Sequence, residues 1–265
     1  MDLALKLTIT PIAIGLATVV ARRRGPALGG WVAAIPFTSA PVVLFLSLDR
    51  GTGFATTAAL GMLAATASQA AFVLAYAWLA LRYPWYVALG AGSAGFVACT
   101  VALNTLHLTV TSGLAIVVGA IVLALALLPT RRDAPVEATT TDVPVLLDVA
   151  LRAVIVTAVV VTISAIAPRV GPTLAGLLSP FPLFGAAVMI VPHRRLGSAG
   201  ALAAARGLLW GLFATCGFFA VLAQLLPAAP LALAYLASAV AAAAIQLLTL
   251  AIMRRWSPAG GVASR

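Results

Sequence analysis

The chain reads "RRRGPALGGWVAAIPFTSAP" over residues 22–41 and "RVGPTLAGLLSPFPLFGA" over residues 169–186. Both stretches write Gly-Pro-x-Leu-x-Gly and then an apolar run interrupted by proline. Superposed at an offset of 146 residues, Gly25, Pro26, Leu28 and Gly30 fall on Gly171, Pro172, Leu174 and Gly176. At the same offset Pro36 falls on Pro182, Gly51 on Gly197, Gly61 on Gly207 and Pro84 on Pro230, while Asp2 meets Asp148 and Lys6 meets Arg152. Alanine-rich helices align with one another by chance, so only the Gly, Pro and charge positions carry weight. Their agreement at one offset reads as an internal duplication.

The 265 residues are 63% hydrophobic and 8% charged, more apolar surface than a soluble domain of this length can cover. Continuous apolar runs of 18 or more residues predict a polytopic all-α integral membrane protein. A β-barrel would alternate over short strands instead. Nine spans are predicted, at 3–21, 28–48, 54–81, 84–104, 111–128, 145–167, 172–192, 200–226 and 230–253. The third and eighth exceed the ~20 residues needed to cross and should tilt. The polar segment 129–144, "PTRRDAPVEATTTDVP", lacks apolar periodicity and reads as a linker. The organisation is therefore a first four-helix unit (1–105), a connecting helix with the linker (106–144), a second four-helix unit (145–255) and a short tail (256–265).

The net charge of +10 does not point to nucleic acid, because the basic residues sit in clusters between apolar runs and act as topology signals. With the N-terminus outside, thirteen basic residues (Arg22, Arg23, Arg24, Arg82, Arg131, Arg132, Arg152, Arg194, Arg195, Arg206, Arg254, Arg255 and Arg265) fall on the inner side, and Lys6, Arg50 and Arg169 on the outer. An odd span number then puts the C-terminus in the cytoplasm. The first span reads as a retained helix, since its positive cluster follows the apolar run. The single connecting helix inverts the second unit, giving a 4+1+4 inverted-topology repeat. That arrangement is common in secondary transporters.

The first unit resembles the small inner-membrane GlpM-type proteins. The likeness lies in "LALKLTITPIAIGLATVVA", "GGWVAAIPFTSAP", the "LDRG" turn at 48–51 and "PWYVALGAGSAGFVACT" at 84–100. It covers about residues 1–105, and through the repeat it reaches more weakly to 146–250, where "HRRLG" replaces "LDRG". It implies a multi-pass protein of the bacterial inner membrane, of a family whose activity is poorly defined.

The chemistry-bearing residues are few. All six acidic residues fall at span ends or in the linker, so neither a proton relay nor a cation site built on buried carboxylates is expected. His107 and His193 lie at loop edges on opposite sides, so no metal, cofactor or catalytic residue is expected. Cys99 and Cys216 lie in apolar segments and predict no disulfide. The Pro-interrupted stretches 33–41 and 177–185 are the best binding candidates, facing each other with Pro36, Thr38, Ser39, Pro41, Ser179, Pro180 and Pro182. Proline removes a backbone donor and breaks the helix. The freed groups must find neighbours, hydroxyls or cavity water. A kink without a ligand is the structural alternative. Gln69 joins the candidates; Gln224, Gln246 and Asn104 read as interhelical hydrogen-bonders. Lys6 and Arg152, each four residues after an Asp, either snorkel to the headgroups or line matching vestibules. Trp31, Tyr83, Trp85, Tyr86 and Trp256 read as interfacial aromatics.

These features predict a non-enzymatic permease for a small anionic or neutral solute, with membrane lipid and the solute as partners, no nucleic acid, and a homodimer compatible with the pattern. A non-transporting subunit of an envelope or export complex and a translocase of lipid or lipid-linked sugar are the alternatives.

Overall fold

The computed structural model describes residues 19–20, 23–36, 39–106, 108–129 and 182–256, the side chains of 183, 184 and 256 excepted. Among the described residues there are seven helices and no strand: α1 (Pro26–Ala33), α2 (Ser39–Arg50), α3 (Thr52–Leu79), α4 (Trp85–Asn104), α5 (Val110–Leu127), α6 (Leu183–Leu225) and α7 (Leu231–Trp256). Five helical stretches, Thr52–Leu79, Trp85–Asn104, Val110–Leu127, Gly185–Leu225 and Leu231–Arg255, are long and apolar enough to cross a membrane. The chain is thus helical and of membrane-protein character.

Four predicted spans are single helices: α3, α4, α5 and α7. The span at 28–48 is instead two helices, interrupted between Ala33 and Ser39. The spans at 172–192 and 200–226 meet in one 43-residue helical run, α6, whose join is the backbone break at Gly197. The span at 3–21 falls almost wholly, and that at 145–167 entirely, outside the described residues.

Single glycines make the turns. Gly51, between α2 and α3, has φ 85° and Gly197 has φ 60° with ψ −153°. Side chains are strained in these conformations, and glycine adopts them freely. The chain therefore ends one helix and starts the next within one residue. The two glycines are 146 residues apart, and each opens a stretch of the same extent, Thr52–Leu79 after Gly51 and residues 198–225 after Gly197. Trp85 and Leu231, the first residues of α4 and α7, stand at the same offset.

Packing fixes the helix directions. α3 and α4 form an antiparallel hairpin, with Gly92 against the Phe72 ring and Thr100 Oγ1 donating to Ser68 Oγ at 2.9 Å. α5 returns parallel to α3: Gly113 meets Leu63 near one end, and Trp78 Nε1 donates to the Leu127 carbonyl at 3.1 Å near the other. A Thr109–Ser112 capping box starts α5, satisfying the donors at its first turn. α6 and α7 form the second hairpin, with Phe218 and Tyr235 ring centroids 6.3 Å apart. Tyr76 Oη and His193 Nδ1 are 3.1 Å apart, so the C-terminal end of α3 lies at the kink that begins the second part of α6. α3 and residues 198–225 therefore run in opposite directions. α6 is central, 72% of its apolar window being buried against 22% for each of α4, α5 and α7.

These directions give the bundle a charge polarity. Arg23, Arg24, Arg82, Arg194, Arg195, Arg254 and Arg255 lie at one end, Arg206 a few turns inward from it, and Asp49 and Arg50 at the other.

Candidate site at the broken helix

Gly25 (φ 92°) turns the chain and Pro26 opens α1 at a position where a missing N–H costs nothing. Two turns later Pro36 prevents continuation, because it has no N–H and disfavours helical backbone at Ile35. The helix tightens before it stops. Ala34 N donates to Gly30 O at 3.2 Å, and Ile35 N turns to Val32 O at 3.2 Å. The Trp31 carbonyl thereby loses its partner four residues on. Ala33, Ala34 and Pro36 are buried, so water does not replace that partner freely.

Side chains from the second unit close the break. Gln246 Nε2 of α7 donates to Trp31 O at 2.8 Å, and the Thr215 hydroxyl of α6 donates to Ala34 O in a very short contact. Trp31 Nε1 donates to Thr249 Oγ1 at 3.1 Å, whose own hydroxyl donates to Gln246 O at 3.0 Å. An unmet carbonyl in the bilayer interior costs several kcal/mol, roughly, so these contacts fix α1 on α6 and α7. Glycines permit the approach: α1 lies parallel to residues 204–215, with Gly30 against Ala204 and Leu208, Gly207 against Ala27, and Gly211 with room for no side chain (a Cβ there would lie 2.6 Å from Trp31 O). One acceptor is left over. Gln246 is 6% exposed, and its Oε1 has no hydrogen-bond partner among the described residues.

Of the predicted site residues, Pro36 is buried in the break, and Ser39 and Pro41 begin α2, both half-buried. Gln69 is half-buried on α3, and Pro182 is the N-cap of α6. Thr38, Ser179, Pro180, Lys6 and Arg152 lie outside the described residues, as does the greater part of the stretch 177–185 expected to face 33–41. The N-terminus of α2 is poorly equipped for an anion: Ala40 N already donates to Pro36 O at 3.0 Å, and Pro41 has no N–H.

The Trp31 indole, half-buried, donates to Thr249 of α7. His193 stands in the last turn before the break at Gly197, at the edge of the expected loop, and is buried there against Tyr76. Asn104 is exposed at the end of α4 rather than an interhelical bridge, and Gln224 is likewise exposed. Gln246 does bridge helices, as expected. Thr215 went unnoticed; it stands 146 residues after Gln69, as Gln246 stands after Thr100. Cys99 and Cys216 are free thiols. No cluster of His, Cys, Asp or Glu able to hold a metal ion occurs among the described residues.

The chain matches no family model, no curated protein and no solved structure.

Proposed function

We propose that this chain is a nine-span inverted repeat of 4+1+4 helices in the bacterial inner membrane, with its N-terminus outside and C-terminus inside. In this reading it is a secondary transporter for a small anionic or neutral solute. The observation that carries the reading is the recurrence of helix boundaries and positive-φ glycines at the offset of 146 residues, in elements that run in opposite directions. Inverted repeats of this kind exchange roles to open a central site alternately to either side. The broken α1–α2 supplies the interrupted helix that such sites use. The gathering of seven arginines at one end of the bundle supports an inner face there. The GlpM-type likeness of residues 1–105 remains part of the proposal and rests on the motifs quoted above.

By register, Gln69 and Thr100 are the counterparts of Thr215 and Gln246. In the proposal Gln69 receives the second broken stretch, around Ser179, Pro180 and Pro182, as Thr215 and Gln246 receive the first, while the Thr100 hydroxyl stays on Ser68. Each unit then holds the interrupted helix of the other. The solute site lies between the breaks, with Thr38, Ser39 and Ser179 as its hydroxyls.

The test is thermal unfolding of the detergent-purified protein against a panel of small metabolites. A ligand binding only the folded state stabilises it by about 2.7 kcal/mol at a hundredfold excess over Kd. A stabilising compound whose effect is lost in Thr38→Ala/Ser179→Ala supports the site. An effect lost only in Lys6→Ala/Arg152→Ala moves it to the membrane surface and favours a lipid translocase. A flat response from folded protein favours the non-transporting subunit, a reading that the hydrogen-bonded closure of the α1 break also suits.

A further inference from the structure

We propose that the C-terminal end of α1 binds a small monovalent cation of the sodium type. Its ligands are Gln246 Oε1, the Trp31 and Ala34 carbonyl oxygens and Thr215 Oγ1. As the coupling ion of a transporter this cation rests on the function proposed above; as a binding site it does not.

Three observations meet there. First, α1 ends inside the bundle, so the carbonyls of its last turn and the negative end of its dipole are buried. Second, Gln246 is 6% exposed and its amide is held at that end by the bond from Nε2 to Trp31 O, which leaves Oε1 of the same amide unpartnered. A buried acceptor without a donor is costly, and a cation beside it removes the cost. Third, the candidate ligands are all oxygens of neutral groups. The donors nearest these oxygens already face acceptors: one N–H of Gln246 Nε2 goes to Trp31 O, the Thr215 hydroxyl to Ala34 O, and Trp31 Nε1 to Thr249. The lone pairs of Gln246 Oε1 have no donor. Asp49, the one acidic residue among the described residues, is exposed at the far end of α2. A divalent ion favours carboxylates, so uncharged carbonyl, amide and hydroxyl ligands fit an ion of single charge. Carbonyls at a helix interruption hold sodium in transporters of other architecture.

The site also has a mechanical consequence. The cation would tie α1 of the first unit to α6 and α7 of the second, at the seam where two inverted units must shift.

The experiment is thermal unfolding of the full-length purified protein in NaCl, LiCl, KCl and choline chloride at equal ionic strength, without solute. The expected result is a saturable rise in Tm with Na+ that choline does not give. Gln246→Leu should raise the half-saturating Na+ concentration at least tenfold. Gln246→Glu places a carboxyl beside the Trp31 carbonyl, where a proton or a cation relieves the repulsion, so at alkaline pH, with the carboxyl ionised, it should lower that concentration. Equal Tm in Na+ and choline for the wild type overturns the proposal, and so does a Na+ response unchanged in both variants. Should Gln246→Leu not fold, the wild-type series and Gln246→Glu decide between them. A flat Na+ series leaves the solute site standing, because that site is read from its own ligands and its own variants.

Discussion

Gly207→Ala should separate α1 from α6. A Cβ at this position would strike the Ala27 peptide group, 2.7 Å from its carbonyl carbon and nearer still to its oxygen. Backbone cannot turn aside as a side chain can, so α1 must retreat as a body. Overpacking of this kind costs about 1–3 kcal/mol. The retreat also stretches the hydrogen bonds from Thr215 to Ala34 and from Gln246 to Trp31. Interhelical hydrogen bonds in membranes contribute about 0.6 kcal/mol each. Against these losses, replacing glycine by alanine inside a helix returns about 1 kcal/mol of propensity. The net expectation is a loss of about 1–3 kcal/mol. Gly119→Ala is the control: it is exposed on α5 with nothing within 4 Å, and it should be neutral or slightly stabilising. Unfolding in detergent, followed by tryptophan fluorescence, compares the two. If Gly207→Ala proves as stable as Gly119→Ala, the α1–α6 seam is wrong and the closure of the helix break fails with it.

Gly51→Ala and Gly197→Ala should each cost about 1–3 kcal/mol although no atom lies within 4 Å of either site, because the strain is in the backbone at φ 85° and 60°; unfolding curves as steep and as late as the wild type would remove that argument. Gly61→Ala tests the repeat by stability. Gly61 is the counterpart of Gly207 at the offset of 146 residues; under the proposed inverted repeat its alanine variant should lose stability as Gly207→Ala does. A gain of the size seen for Gly119→Ala would mean that the second broken stretch docks elsewhere.

The sequence carried the architecture because glycine and proline act locally. Gly25, Gly51 and Gly197 are turns wherever they occur, and Pro36 stops α1 by its own covalent geometry. The boundaries of α3, α4, α5 and α7 follow from apolar run length. The break at Gly197 falls within "HRRLG", where the sequence puts a loop, but the burial of His193 just before it was not legible, since its partner Tyr76 is 117 residues away. The closure of the break was half legible. That freed carbonyls need donors follows from chemistry, but which donors reach them depends on packing between units. The expectation was neighbours, hydroxyls such as Thr38, Ser39 and Ser179, or water, and Thr215 and Gln246 are donors from neighbouring helices that no local pattern singles out. The bond from Trp31 to Thr249 was hidden for the same reason, because a tryptophan near a span end carries no mark of what lies opposite.

The inversion of the two units can be read directly by labelling Thr52→Cys and Ser198→Cys with a membrane-impermeant thiol reagent. Both positions directly follow a positive-φ glycine and open the equivalent long helix. Cys99 and Cys216 are first replaced by alanine, and the reagent is applied to intact cells and to inverted vesicles. The account predicts that Thr52→Cys reacts only from the outside and Ser198→Cys only from the inside. Reaction of both from the same side would contradict the inverted repeat and, with it, the alternating-access reading.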